Sequence, residues 1–218
     1  MTERPLTTLV WRALLGAGRT PAVWMAMGVQ IAFLSLYMLV WGDGLPLVGA
    51  RPVLEQFATT QWIFLGLALP WVAARSGAAW RRDEVAQLAA LGAVQPSSIV
   101  TASVAALAVL LLATAAVGLP FAVLAQQISA LRLMELWRTQ LPLYALSLCA
   151  AAVTATCMLV VANPLLAWTT ATGVTCGVMI AVPPGLAGAV VLAALGAAIG
   201  VALVSGADRR FWYLSEQA

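Results

Sequence analysis

Few residues in this chain are able to do chemistry, and their types exclude most kinds of catalytic or metal site. The 218 residues include no histidine, so the commonest metal ligand and proton carrier of proteins is missing. Cys149, Cys157 and Cys176 lie inside apolar runs without paired spacing, which favours small buried side chains over a disulfide or a metal site. There is no lysine, and no glycine-rich phosphate loop of the G-x-x-x-x-G-K-[ST] form. The sequence therefore predicts no enzymatic activity, no cofactor and no bound metal.

Residues 81–92 combine a run of four charged side chains with helical periodicity. Apolar residues recur there at i, i+3, i+4 and i+7, which is typical of one face of a helix. Asp83 and Glu84 would lie in the first turn, where acidic side chains favour the helix dipole. The pattern predicts a short amphipathic helix in the cytoplasm, and an ordinary surface connector remains the alternative. The residues assigned to the helix are Arg81, Arg82, Asp83, Glu84, Val85, Leu88, Leu91 and Gly92.

The elements that must position this segment are apolar throughout. Hydrophobic residues make up 63% of the chain and charged residues 9%, whereas soluble domains are about 45–50% apolar and about 25% charged. The composition predicts an all-α integral membrane protein with a single transmembrane domain, residues 1–218.

Six apolar runs approach the length of about 20 residues that a spanning helix needs. Pro70 and Pro120 are expected to bend the second and third of them. Very short connections follow the fourth and fifth runs, so the second half of the chain is expected to be a compact up-down-up arrangement. The predicted spans are residues 21–41, 59–74, 96–124, 141–161, 164–182 and 185–204.

The distribution of arginines predicts the orientation of the chain. With a cytoplasmic N-terminus, eight of the 11 basic residues lie inside and three lie outside, which agrees with the positive-inside rule. An even number of spans then places both termini in the cytoplasm. The outer three are Arg51, Arg132 and Arg138.

Two segments are expected to lie along the membrane surface. Residues 6–18 predict an amphipathic interfacial helix with Trp11 on or near its apolar face, and Arg12 and Arg19 are placed to meet the lipid headgroups. Residues 128–137 carry apolar side chains beside charged ones and predict a short helix on the outer face.

The predicted spans contain few polar residues and no charge near their centres. An intramembrane charge would be the usual marker of an ion or proton pathway, so its absence argues against an ion-coupled carrier. The polar residues within the spans are interpreted as forming hydrogen bonds between helices. They are Gln30, Gln61, Ser147, Thr154 and Thr156.

The charged segment resembles the cytoplasmic coupling segment of ABC exporter permeases. The resemblance is carried by Arg81-Arg82-Asp83-Glu84-Val85, then Leu88, Leu91-Gly92-Ala93 and Ile99. The six-span layout with an N-terminal interfacial helix resembles the type-2 export permeases. In length and small loops it is similar to the B-subunit permease of the haem exporter of cytochrome c maturation. Gly92 and Ala93 depart from that family, which is usually Pro-rich there.

The resemblance implies a function that none of these residues performs alone. A separate cytoplasmic subunit would bind ATP and receive the helix at residues 84–91 in a groove. The permease would act as a dimer, with itself or with a second permease chain, in the bacterial cytoplasmic (inner) membrane. It would export an amphipathic or lipid-like substrate, of which haem is one example. The alternatives are a non-transporting scaffold or assembly subunit, which could use the same charged helix for docking, and a secondary carrier.

Overall fold

The structure is a computed structural model that describes residues 4–41, 53–76, 85, 87, 95–128, 132–161, 163–182 and 184–215. Across these residues the secondary structure is helix joined by short turns, with no strand. The helices with described bounds are α1 (Arg4–Gly18), α2 (Pro21–Trp41), α3 (Val53–Arg75), α4 (Pro96–Ala116), α5 (Leu119–Ile128), α6 (Leu133–Val160), α7 (Pro164–Ala181) and α8 (Leu186–Ser215).

Five stretches of helix in the described ranges are long and apolar enough to cross a membrane, so this is a helical multi-pass membrane protein. They are Pro21–Val40, Leu54–Arg75, Pro96–Gln127, Leu133–Val160 and Leu186–Ala207. The sixth apolar helix, α7, is shorter: its 18 residues measure about 27 Å at 1.5 Å per residue.

Helix α6 forms the centre of the bundle and packs against α3, α4, α5, α7 and α8. Residues 150–155 of this helix are all buried. Its most extensive contact is with α8, where Gly196 lies directly against the backbone of Cys149. Because lipid removes most of the hydrophobic drive between helices, such close approach of small residues is a main source of packing energy.

The third span is broken where the sequence predicts a bend. Helix α4 ends at Ala116 and α5 begins at Leu119, because the ring of Pro120 cannot continue the hydrogen-bond ladder. Gly118 occupies the break, and its missing side chain leaves room for the amide of Gln61. The Gln61 amide nitrogen donates to the carbonyl of Ala115 at 3.3 Å, which ties α3 to the end of α4.

Two helix starts are defined by local chemistry. The side chain of Asn163 accepts hydrogen bonds from the N–H groups of Leu165 at 2.9 Å and Leu166 at 3.5 Å, and Pro164 occupies the first position of α7. Pro96 has the same role in α4, where its missing N–H would have no partner in any case.

The predicted outer surface helix is not a separate element. Helix α6 begins at Leu133, so residues 133–137 are its first turns and continue directly into the predicted fourth span. The second span also begins earlier than residue 59, since α3 starts at Val53. Proline at position 142 is accommodated inside α6 without ending it.

Candidate functional site

The charged segment between α3 and α4 lies almost entirely outside the described residues. This applies to Arg81, Arg82, Asp83, Glu84, Leu88, Leu91 and Gly92. Val85 and Gln87 are described, both as helical residues. Val85 is fully buried, whereas Gln87 is exposed to solvent.

Val85 belongs to a small apolar cluster, here called the Val85 cluster. Its other buried members are Ile99 and Val100 in the first turns of α4 and Ala207 in α8. Leu159, near the end of α6, packs against them with two residues of α8. Val85, which the sequence predicts in a cytoplasmic helix, therefore lies buried in a cluster to which residues of three helices contribute at one end of the bundle.

Helix α1 covers α4 with one face and exposes the other. Ala13 and Ala17 are buried, and Val10 and Leu14 pack beside them. Trp11 keeps 63% of its surface exposed, and Arg12 and Arg19 are also exposed. The interfacial position expected from the sequence stays a prediction, and the exposure of Trp11, Arg12 and Arg19 is compatible with it.

The polar residues of the spans behave in three ways. Gln61 makes the expected bond between helices, while the hydroxyls of Ser147 and Thr156 bond to carbonyls of their own helix at 2.9 and 2.8 Å. The side chains of Gln30 and Thr154 are buried without a hydrogen-bond partner in the described ranges. The same holds for Gln140, which the sequence analysis did not single out.

A cleft of about 1150 Å³ opens at the opposite end of the bundle from the Val85 cluster, where α3, α6 and α8 begin. Along α3 it is lined from Leu54 to Trp62, and along α6 from Arg132 to Leu143. Residues 184–188, which lead into α8, close its third side. Sequence reasoning missed this cleft because its lining comes from three segments that are distant along the chain.

The described residues at the rim of the cleft include four charged side chains, two of each sign. Arg138 is paired with Glu135 at 3.4 Å, and both side chains are partly exposed. Glu55 and Arg132 are exposed and have no ion pair with any other described residue. Among the described residues, the rim thus offers one carboxylate and one guanidinium without an ion-pair partner, and the far end of the lining is formed by Trp62, Pro142 and Leu143.

The cysteines are free thiols in three separate places. Cys149 and Cys157 are buried in α6, and Cys176 is half-buried in α7. In the described ranges no group of three or more potential metal ligands comes together.

Comparison of the chain with protein-family models, with curated proteins and with solved structures finds no match.

Proposed function

We propose that this chain is the transmembrane permease subunit of an ABC exporter, which couples ATP hydrolysis in a separate cytoplasmic subunit to export of an amphipathic or lipid-like substrate. The observation that carries the proposal is the complete burial of Val85 in a cluster with residues of α4 and α8, on which Leu159 of α6 also packs. A surface connector could be displaced without moving the spans. A segment packed onto three helices transmits a push into them, because packed interiors resist compression.

Val85 is buried and Gln87 is exposed, so the side of the segment that carries Gln87 is the one open to an ATPase subunit. The helix predicted from the sequence over residues 81–92 would have Leu88 on the face of Val85, at i+3. The same predicted helix would have Glu84 and Leu91 on the face of Gln87, at i−3 and i+4. The ATPase subunit would bind the Gln87 side, and the Val85 side would hold the segment to the bundle.

The packing supports six crossings with both termini at one end. The Val85 cluster joins the start of α4 to the last turns of α6 and α8, while the cleft joins the starts of α3, α6 and α8. Helix α7 starts at Pro164, four residues after the end of α6 at Val160, and leads back to the cleft at Pro184. A chain that alternates in this way has the Val85 end in the cytoplasm, as the positive-inside rule requires.

A dimer would have the apolar outer faces of α2 and α8 available for its contact. Leu39 of α2 and Val190 and Val201 of α8 each expose about 70% of their surface, as 72%, 70% and 69%. The described residues include no buried charged side chain that could line a polar path within one copy. The transport path would therefore lie between two permease chains.

The test is association with an ATPase and stimulation of its ATP hydrolysis. The tagged full-length chain, purified with its ATPase into nanodiscs, should hydrolyse ATP. Gln87→Trp and Glu84→Arg should weaken the association at least about tenfold, the loss expected when a central contact of an interface is disrupted. Gln127→Trp makes the same change at an exposed site on α5, at the cleft end, and should leave association unchanged.

Two results would reject the permease assignment. One is purification of the intact chain from its host membrane without any ATPase. The other is equal ATPase association and export in the Gln87→Trp, Glu84→Arg and Gln127→Trp variants. An ATPase that binds through the Gln87 side but whose hydrolysis the chain never stimulates would favour the scaffold alternative.

A further inference from the structure

We infer that the cleft at the starts of α3, α6 and α8 binds a phospholipid with a zwitterionic headgroup, such as an ethanolamine phospholipid. The inference deepens the proposed function, on which it rests, by naming a substrate class and its binding site. It starts from the size and depth of the cleft and from the placement of its charges.

The cleft is large and elongated along the helices. Its volume of about 1150 Å³ lies slightly above the usual range of about 300–1,000 Å³ for small-molecule pockets. From Leu54 to Trp62 the lining descends about 12 Å along α3, and from Arg132 to Leu143 about 16 Å along α6, at 1.5 Å per residue. The headgroup layer on each side of a bilayer is about 6 Å thick, so a cleft of this depth whose rim lies at the membrane surface extends below that layer into the hydrocarbon.

The polarity of the lining changes along this depth. Glu55, Arg132 and Glu135 lie at the rim, whereas Trp62 and Leu143 lie deepest and are almost fully buried. An occupant that satisfies both levels must be charged at one end and apolar at the other. A soluble polar molecule would leave the apolar depth unfilled, and a hydrocarbon would leave the rim charges unmet.

The two rim charges without an ion-pair partner indicate which class of lipid headgroup the cleft would bind. Arg138 and Glu135 neutralise each other, which leaves Arg132 and Glu55 for a ligand among the described rim residues. A guanidinium binds phosphate oxygens through charge-assisted hydrogen bonds. A carboxylate in the same cleft favours a headgroup that adds an ammonium group and disfavours a purely anionic one. The rim therefore matches a phosphate and an amine carried by the same lipid.

The experiment measures lipid binding to the purified full-length chain by native mass spectrometry, with phosphatidylethanolamine and phosphatidylglycerol as probes. Arg132→Gln should weaken binding of both lipids about two- to fivefold, the ratio that corresponds to the upper half of measured energies for exposed ion pairs. Glu55→Gln should weaken phosphatidylethanolamine alone by a similar ratio. Arg75→Gln, an exposed arginine at the other end of α3, is the control and should change neither.

A third variant tests the cleft without removing a charge. Ala187 is exposed and lines the cleft, so the indole in Ala187→Trp would fill part of the space and reduce binding of both lipids. Since Glu55 and Arg132 are exposed, their variants should keep the thermal stability of the wild type. They therefore carry the test if Ala187→Trp fails to fold.

Three results would overturn the inference. The first is an equal effect of Arg132→Gln and Arg75→Gln, which would mean that lipid binds anywhere around the chain. The second is equal loss of binding of both lipids in Glu55→Gln, which would show that Glu55 does not select the ammonium group of the headgroup. The third is competition by free phosphoethanolamine as strong as that of the lipid, which would show that the cleft binds a soluble molecule and not a lipid. No ATPase is present in this lipid-binding assay. A negative result would therefore reject the lipid site without rejecting the permease proposal, which the Gln87→Trp and Glu84→Arg variants test separately.

Discussion

Replacing Gly196 by alanine should push α6 and α8 apart, whereas the same change at Gly200 should not. A Cβ atom at position 196 would lie 3.0 Å from the Cα and 3.1 Å from the nitrogen of Cys149. Carbon atoms in favourable contact are about 3.5–4.0 Å apart, so the helices must separate by several tenths of an ångström. The opposing atoms belong to the backbone and cannot rotate away. A Cβ at Gly200, one turn further on, would meet nothing within 4 Å.

The comparison of the two glycines isolates the steric cost. Glycine to alanine in a helix interior gains about 0.5–1 kcal/mol through backbone entropy, and this gain is common to both positions. Overpacking costs about 1–3 kcal/mol and applies to Gly196 alone. The difference between the variants is therefore about 1–3 kcal/mol, with Gly196→Ala the less stable. At about 2–4 °C per kcal/mol for a chain of this size, their melting temperatures should differ by about 2–12 °C.

The assay is thermal unfolding of the wild type and both variants in one detergent, followed by tryptophan fluorescence. Gly200→Ala should melt at or slightly above the wild type, and Gly196→Ala clearly below Gly200→Ala. Melting temperatures within about 1 °C of each other would refute the close approach of α6 and α8 at this point, since that is less than the smallest steric cost expected.

Two other local contacts give independent predictions for the same assay. Gly118→Ala should destabilise the chain by about 1–3 kcal/mol, because its methyl group would overlap the amide of Gln61, and adding Gln61→Ala should recover part of that loss. Strictly additive costs would show that the two residues are not in contact. Asn163→Ala should cost about 0.5–2 kcal/mol by removing the cap of α7, while Asn163→Ser should keep most of the stability. Equal loss in the alanine and serine variants would argue against capping.

The helix boundaries that could be predicted from the sequence are those marked by local chemistry. Asn163 and Pro164 define the start of α7, and Pro120 marks the break between α4 and α5, because each acts on its own backbone. The predicted start of the second span, residue 59, is later than the start of α3 at Val53. Residues 53–58 include Glu55, and a charged residue ends the apolar run from which a span is predicted, although the helix itself continues through that residue.

The close contacts could not be predicted, because they depend on which helices meet. The sequence treats Gly196 and Gly200 as equivalent small residues, yet only Gly196 faces the backbone of another helix. The cleft has the same origin, since Glu55 and Arg132 come together only after α3 and α6 are packed side by side. Among the polar residues, the predicted hydrogen bond between helices is present for Gln61. The same prediction is wrong for Ser147, whose hydroxyl donates to a carbonyl of its own helix.

Helix α6 links the two ends that the proposed function needs to couple. Leu143 lines the cleft, and Leu159, about 24 Å further along at 1.5 Å per residue, packs on the Val85 cluster. Between them, Gly196 holds α8 against the backbone of Cys149, so a displacement of one helix is resisted by close contact with the other. Force from an ATPase would enter α3 and α4 through the chain, and α6 and α8 through Val85. Because α6 and α8 both line the cleft, a shift of this pair relative to α3 would change the width of the cleft.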